Sequence, residues 1–241
     1  MSQDLSSVSP ASVEAPLSLW KAWTSALTRP SARTFERLAS NPKASRRRAH
    51  IWIFVAALLG IAVLSAVRLA VAYALFNASQ PLGAEDGMVN LAFMALVGGL
   101  LVAPPLGAVL LGFGLIISIW ITQAIARKLG GTGTYTKLVY TFAAYLAPLI
   151  IVSFLVLSVP FGSSVFYLYG WSNNAVSNLQ TISVTLALAV WVCLVIYGTA
   201  LNVMAVKAIN QFGWGKAIVS NLLIFSVTLA LALWVFHWWA I

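Results

Sequence analysis

Side chains able to do chemistry are few in this chain and badly placed for it. All five carboxylates, Asp4, Glu14, Glu36, Glu85 and Asp86, lie outside the apolar runs. An intramembrane aspartyl enzyme needs two acids at membrane depth, and a carboxylate-gated proton transporter needs at least one. His50 and His237 fall near opposite extremes of the apolar region, so they do not share a metal, and no HExxH or Ser/His/Asp pattern organises catalysis. The single cysteine, Cys193, sits inside an apolar run and reads as a small packing residue, with neither a disulfide nor zinc spacing. The expectation is a protein that is not an enzyme and carries no metal or cofactor.

Three other features remain as candidates. Gly130-Gly131-Thr132-Gly133-Thr134-Tyr135 lacks the spacing and Lys-Ser/Thr ending of a phosphate loop. The favoured reading is a left-handed helix cap followed by a tight connection; the sharper one has backbone amides there hold a lipid phosphate together with Arg127, Lys128 and Lys137. Arg68 is the one charge within a span. Counted from Ile51 it lies ~26 Å along a ~30 Å crossing, so its guanidinium can snorkel to headgroups; an internal pair with Gln123 or Asn202 is the alternative. Finally, Lys21, Arg29, Arg33, Arg37, Lys43, Arg46, Arg47 and Arg48 are opposed over the same segment only by Glu36. With Trp20, Trp23 and Phe35 among them, they suit two short helices lying on an anionic membrane surface, or a topology signal that holds this end in the cytosol.

The elements that must position these residues are apolar. With 61% hydrophobic and 8% charged residues and a mean hydropathy of +0.93, the chain is built for lipid rather than water. The net charge of +9 would suggest nucleic acid in a soluble protein, but its positive residues cluster beside apolar runs, and no nucleic-acid partner is expected. Residues 1–16 read as a disordered tail without the apolar core of a signal peptide, 17–50 as a basic amphipathic cytosolic region, and 51–241 as the transmembrane domain.

Spans are expected at Ile51 to Phe76, Leu106 to Ala126, Leu138 to Val159 (broken by Pro148), Ile182 to Val206 and Ala217 to Trp239. The charge-free run from Met88 to Ala126 would extend ~58 Å as one helix, so Pro104-Pro105 is expected to divide it. Were residues 88–103 a complete extra span, Arg127, Lys128, Lys137, Lys207 and Lys216 would all face outside, against the positive-inside rule. The fold expected is therefore an all-α bundle of five transmembrane helices. An extra interfacial or re-entrant helix, or a kinked extension, precedes the second span. Between the third and fourth spans, Pro160 to Thr181 reads as an interfacial loop. Ala56 with Gly60 and Ala108 with Gly112 mark faces for close helix approach, within the chain or between copies.

Several motifs in order resemble one family. Pro30-Ser31-Ala32-Arg33-Thr34-Phe35, then Asn41-Pro42-Lys43-Ala44-Ser45 ahead of the first span, is similar to the cytosolic approach of bacterial and archaeal Yip (Ypt/Rab-interacting protein) domain proteins. So are Leu129 to Tyr135 with Gly130, Gly131 and Gly133, Tyr145-Leu146-Ala147-Pro148, and Pro160. The resemblance implies five spans with a cytosolic N-terminus, a prokaryotic cytoplasmic membrane and an outside C-terminus. Eukaryotic members bind Rab GTPases and act in vesicle traffic; this sequence lacks an extended acidic N-terminal domain like theirs, and prokaryotic members have no established activity. The expected role is a non-catalytic scaffold engaging anionic lipid or a cytosolic partner, with a homo-oligomer as a further association. The alternative is a small-solute or lipid transporter built around proline-broken spans.

Overall fold

A chain with no water along most of its length satisfies its backbone internally, and helix is the way to do so within one segment. The computed structural model describes residues 17–79, 86–168 and 174–239, and among them the regular structure is α-helical. Two short helices, α1 (Leu19–Thr28) and α2 (Ala32–Ala39), precede five long ones: α3 (Arg46–Ser79), α4 (Asp86–Lys128), α5 (Tyr135–Leu168), α6 (Asn174–Asn210) and α7 (Trp214–Trp239). Among the described residues, four segments are long and apolar enough to cross a bilayer: Arg46–Val71, Pro104–Lys128, Tyr135–Pro160 and Gln180–Asn210.

Proline does not divide these helices, contrary to expectation. Of the alternatives for residues 88–103, the structure has the extension of the second span: they form no separate interfacial or re-entrant helix but the first part of α4, which runs through Pro104 and Pro105 over 43 residues, about 64 Å. Likewise α5 continues through both Pro148 and Pro160, and helix replaces much of the loop expected from residue 160 to 181. Magnitudes explain the difference. Each proline removes one donor and costs roughly 3 kcal/mol in a helix. Unwinding the chain in hydrocarbon would instead strip partners from several N–H and C=O groups, at several kcal/mol each.

The core sits in the first half of α5. Leu138, Val139, Tyr140, Ala143, Ala144, Tyr145 and Ala147 are all sealed from solvent and lipid. Helix α3 packs along α5, α6 covers another side of it, α4 lies on α3, and α7 contacts α4 and α6. Both small-residue pairs are used within the chain. Gly60 receives the ring of Phe154 from α5, and Gly112 receives that of Phe54 from α3, which also meets Phe113 edge-on at 5.5 Å. By contrast Leu110, Ile196 and Phe225 are each about two-thirds exposed, as suits a lipid-facing surface.

A Cβ at Gly112 would stand 2.3 Å from the Phe54 ring. Gly112→Val is therefore expected to lower stability by about 1–3 kcal/mol, whereas Leu110→Val on the lipid side stays within about 0.5 kcal/mol. Thermal unfolding of the two purified variants in one detergent checks this.

Candidate functional site

Basic residues gather at one end of the bundle because consecutive long helices alternate in direction. The start of α3 meets the start of α5 there, with the Arg46 guanidinium 5.3 Å from the Tyr135 ring centre and His50 Nε2 3.3 Å from the Tyr135 hydroxyl. Arg127 and Lys128 close α4, and Lys137 lies in the first turn of α5; all three are exposed. Lys207, in the last turn of α6, sits 3.9 Å from the Trp214 ring centre at the start of α7.

Two glycine-dependent contacts lock this end. Gly130 has φ +87° and ends α4 in a Schellman motif, in which Gly131 N–H donates to the Ala126 carbonyl (2.9 Å) and Gly130 N–H to that of Arg127 (3.0 Å). Asn210, buried at the end of α6, then fills the space beside the loop: a Cβ on Gly131 or Gly133 would come 2.7 Å from its Oδ1. The buried Gln123 amide donates to the Gly133 carbonyl (2.6 Å) and to Asn210 Oδ1 (3.3 Å), while Lys216 Nζ donates to the Leu129 carbonyl (3.0 Å). The cap reading of the glycines therefore has a concrete structural basis, and packing explains why side chains are excluded at 131 and 133.

Asn210 carried no signal in the sequence, because one amide at the end of an apolar run reads as an ordinary helix stop. The same holds for Gln211, which terminates α6 at φ 56° while Phe212 N–H donates to the Lys207 carbonyl (3.0 Å).

The second part of the site is the α1–α2 hairpin. Ser18 caps α1 by accepting from Lys21 N–H (3.4 Å), Ser31 caps α2 by accepting from Thr34 N–H (3.1 Å), and Thr34 Oγ1 donates to the Arg29 carbonyl (2.8 Å). Pro30 sits within this turn, where its fixed φ suits a tight connection. The apolar faces pack on the bundle and share its core rather than lying on lipid, as the surface-helix alternative would have them. Ala22 and Ala26 of α1 and Phe35 and Leu38 of α2 are fully buried. Phe35 meets Tyr145 edge-on at 6.0 Å, Asn41 Nδ2 donates to the Tyr140 hydroxyl (3.1 Å), and the Tyr197 hydroxyl donates to the Leu27 carbonyl. Tyr197 lies thirteen residues, ~20 Å, before the end of α6 at Asn210, so the hairpin flanks the bundle rather than capping its tip.

Docked in this way, the hairpin turns its polar faces toward each other. Lys21, Arg29, Arg33 and Arg37 line one cleft of about 650 Å³ between α1 and α2, with Leu17 and Leu38 also in its wall. This is a geometry that can hold an anion. Arg46, Arg47 and His50 instead border a groove running down α3 over Ile51, Phe54 and Val55. Arg48 is exposed and reaches the Lys43 carbonyl (3.5 Å). The contact residues expected from sequence thus fall into separate groups: the first four share the α1–α2 cleft, and Arg46 and Arg47 share the groove on α3.

A family model described as the Yip1 domain matches residues 24–237. The chain belongs to the Yip1 domain family. It is a multi-pass membrane protein of that family. No curated protein and no solved structure matches it. In this Yip1 domain the motif positions have structural duties: Pro30 at the hinge, Phe35 in the core, Gly130, Gly131 and Gly133 at the α4–α5 loop, Tyr135 beneath Arg46, and Pro148 and Pro160 inside α5.

Among the described residues, Ser118, Thr122, Asn202 and Asn221 share with five apolar side chains the lining of a small pocket of about 80 Å³ between α4, α5, α6 and α7; none of the helix prolines lines it. Asn202 Oδ1 accepts from the Tyr145 hydroxyl, and Gln123 is engaged by the loop, so both residues considered as partners for Arg68 have other partners. Arg68 itself is exposed. Among the described residues no three His, Cys, Asp or Glu side chains converge.

Gly133→Ala would press a methyl group against Asn210 Oδ1 and the Ile209 carbonyl, each 2.7 Å from its Cβ. A loss of about 1–3 kcal/mol is expected. Thermal unfolding of Gly133→Ala beside Gly213→Ala, whose added Cβ meets nothing within 4 Å, makes the comparison.

Proposed function

We propose that this Yip1-domain protein is a non-catalytic membrane scaffold that holds the cytosolic leaflet through its basic hairpin. Each of α3 to α7 crosses once, giving five spans with the N-terminus and basic end in the cytosol and the C-terminus outside. In support, the ends of α3, α4, α5, α6 and α7 that carry Arg or Lys all lie together, as the positive-inside rule asks of one cytosolic face. Continuous passage of α4 through Pro104-Pro105 favours the same count, because a re-entrant turn needs a break that this helix does not have. A prokaryotic cytoplasmic membrane is the setting proposed.

The observation that carries the functional reading is the docked hairpin. Phe35 and Leu38 fix it against α5 and α6, so its cations are held in place without any ligand. Trp20, 70% exposed on α1, is the type of residue that settles at headgroup depth. Basic residues near an anionic leaflet contribute ~1 kcal/mol each, so four held together can anchor the hairpin to lipid.

Two measurements test this. A reporter fused after Ile241 should lie outside the cytosol and one inserted after Gly131 inside; a cytosolic C-terminus would refute the five-span count. In nanodiscs, where both faces are accessible, trypsin should cut after Arg33 and Arg37 more slowly once anionic lipid replaces zwitterionic lipid. Added salt should restore cleavage by screening. Equal cleavage in both lipids would mean that the hairpin does not engage the anionic surface and would leave a cytosolic protein as its partner.

A further inference from the structure

We propose that the cleft between α1 and α2 is a seat for a phosphomonoester dianion of the kind that an anionic phospholipid headgroup presents. This rests on the proposed engagement of anionic lipid and adds a defined ligand chemistry at one place. Helical spacing builds the seat: Arg33 and Arg37 are four residues apart on one face of α2, Lys21 lies on the facing side of α1, and Arg29 stands at the hinge. Among the described residues no carboxylate lines the cleft, and Glu36 is absent from its wall.

Charge and hydrogen bonding both select the ligand. Lys21, Arg29, Arg33 and Arg37 concentrate positive charge around about 650 Å³, which attracts a dianion more strongly than a single negative charge. The neighbouring hydroxyls are already committed, since those of Thr24, Thr28 and Thr34 donate to the carbonyls of Trp20, Thr24 and Arg29. Donors for a ligand therefore come from the ammonium and guanidinium groups. Three of the four are Arg, whose planar fork matches phosphate oxygens two at a time. The volume lies within the ~300–1,000 Å³ typical of small-ligand sites, large enough for a phosphorylated headgroup. Leu17 and Leu38 supply apolar wall, which suits the glycerol end of a lipid.

The position of the cleft favours a lipid source. The hairpin packs on α5 through both helices and on α6 through α2, well short of the tip of α6, and Trp20 beside Lys21 is exposed. A headgroup in the adjoining leaflet can reach the cleft without leaving the bilayer.

The test uses the full chain in phosphatidylcholine nanodiscs titrated with phosphatidic acid or phosphatidylglycerol, with bound lipid counted by native mass spectrometry. Phosphatidic acid, with its phosphomonoester, is expected to bind more tightly than phosphatidylglycerol. Arg29→Gln with Arg33→Gln should weaken phosphatidic acid binding about 30-fold. Arg46→Gln with Arg47→Gln, an equal loss of charge outside the cleft, should weaken it far less. Arg29→Lys with Arg33→Lys keeps the charge and should restore part of the affinity, and matched unfolding temperatures exclude a folding defect.

Displacement by soluble glycerol phosphate would support the seat with a free phosphomonoester as its source; retention of lipid against it would support the seat with lipid as the source. Equal weakening by the two glutamine pairs, or no preference for phosphatidic acid, would overturn the seat while leaving diffuse engagement of anionic lipid intact. Binding of both anionic lipids that no pair alters would overturn the seat and the engagement together.

Discussion

Helices in lipid gain little from hiding apolar surface from one another, because acyl chains are as apolar as leucine. What remains is close packing and polar contact, and this protein concentrates both on the first half of α5. Ala143, Ala144 and Ala147 let neighbours approach, while Tyr140 and Tyr145 supply rings and hydroxyls. Trp52 of α3 lies 5.0 Å from the Tyr140 ring, Asn202 of α6 accepts from Tyr145, and Phe35 of α2 rests against the same tyrosine. Take this row away and α3, α6 and the hairpin lose their common support.

The electrostatics follow from that packing. An amphipathic helix whose apolar face is already buried in protein leaves its polar face as the one available for ligands. Because Phe35 and Asn41 hold α2 against α5, and Tyr197 holds the end of α1 against α6, Arg29, Arg33 and Arg37 project beside Lys21 instead of dispersing along a flexible tail. A preorganised cluster of charge costs less ordering entropy on binding than a floppy one. The loop lock at the basic end has a different character: Gln123, Asn210 and the glycines at 131 and 133 use short-range fit to hold the α4–α5 connection against α6. That is a structural function for a motif whose glycine content first suggests phosphate.

Much of the helical layout was readable from apolar run length, and the family from the ordered motifs around Pro30, Gly130 and Pro148. Reading failed at Pro104-Pro105 and Pro148 because the breaking rule assumes that freed carbonyls find water, which hydrocarbon does not supply. For the hairpin, helical spacing showed which residues were basic and which apolar, but not that Phe35 would choose Tyr145 over lipid. That choice depends on a ring more than a hundred positions away in the chain. Asn210 and Gln211 were invisible for the converse reason: their importance lies in a neighbour's missing Cβ and in one left-handed turn, neither of which leaves a periodic trace.

The central claim is that the basic hairpin belongs to the folded bundle independently of any ligand. Amide hydrogen exchange over residues 32–39, measured on the full chain in purely zwitterionic nanodiscs, tests it most directly. Slow exchange that becomes fast in Phe35→Ala is the result this account predicts. Fast exchange in the unaltered protein, slowed only when anionic lipid is added, would contradict it and make the hairpin a segment that orders on the membrane.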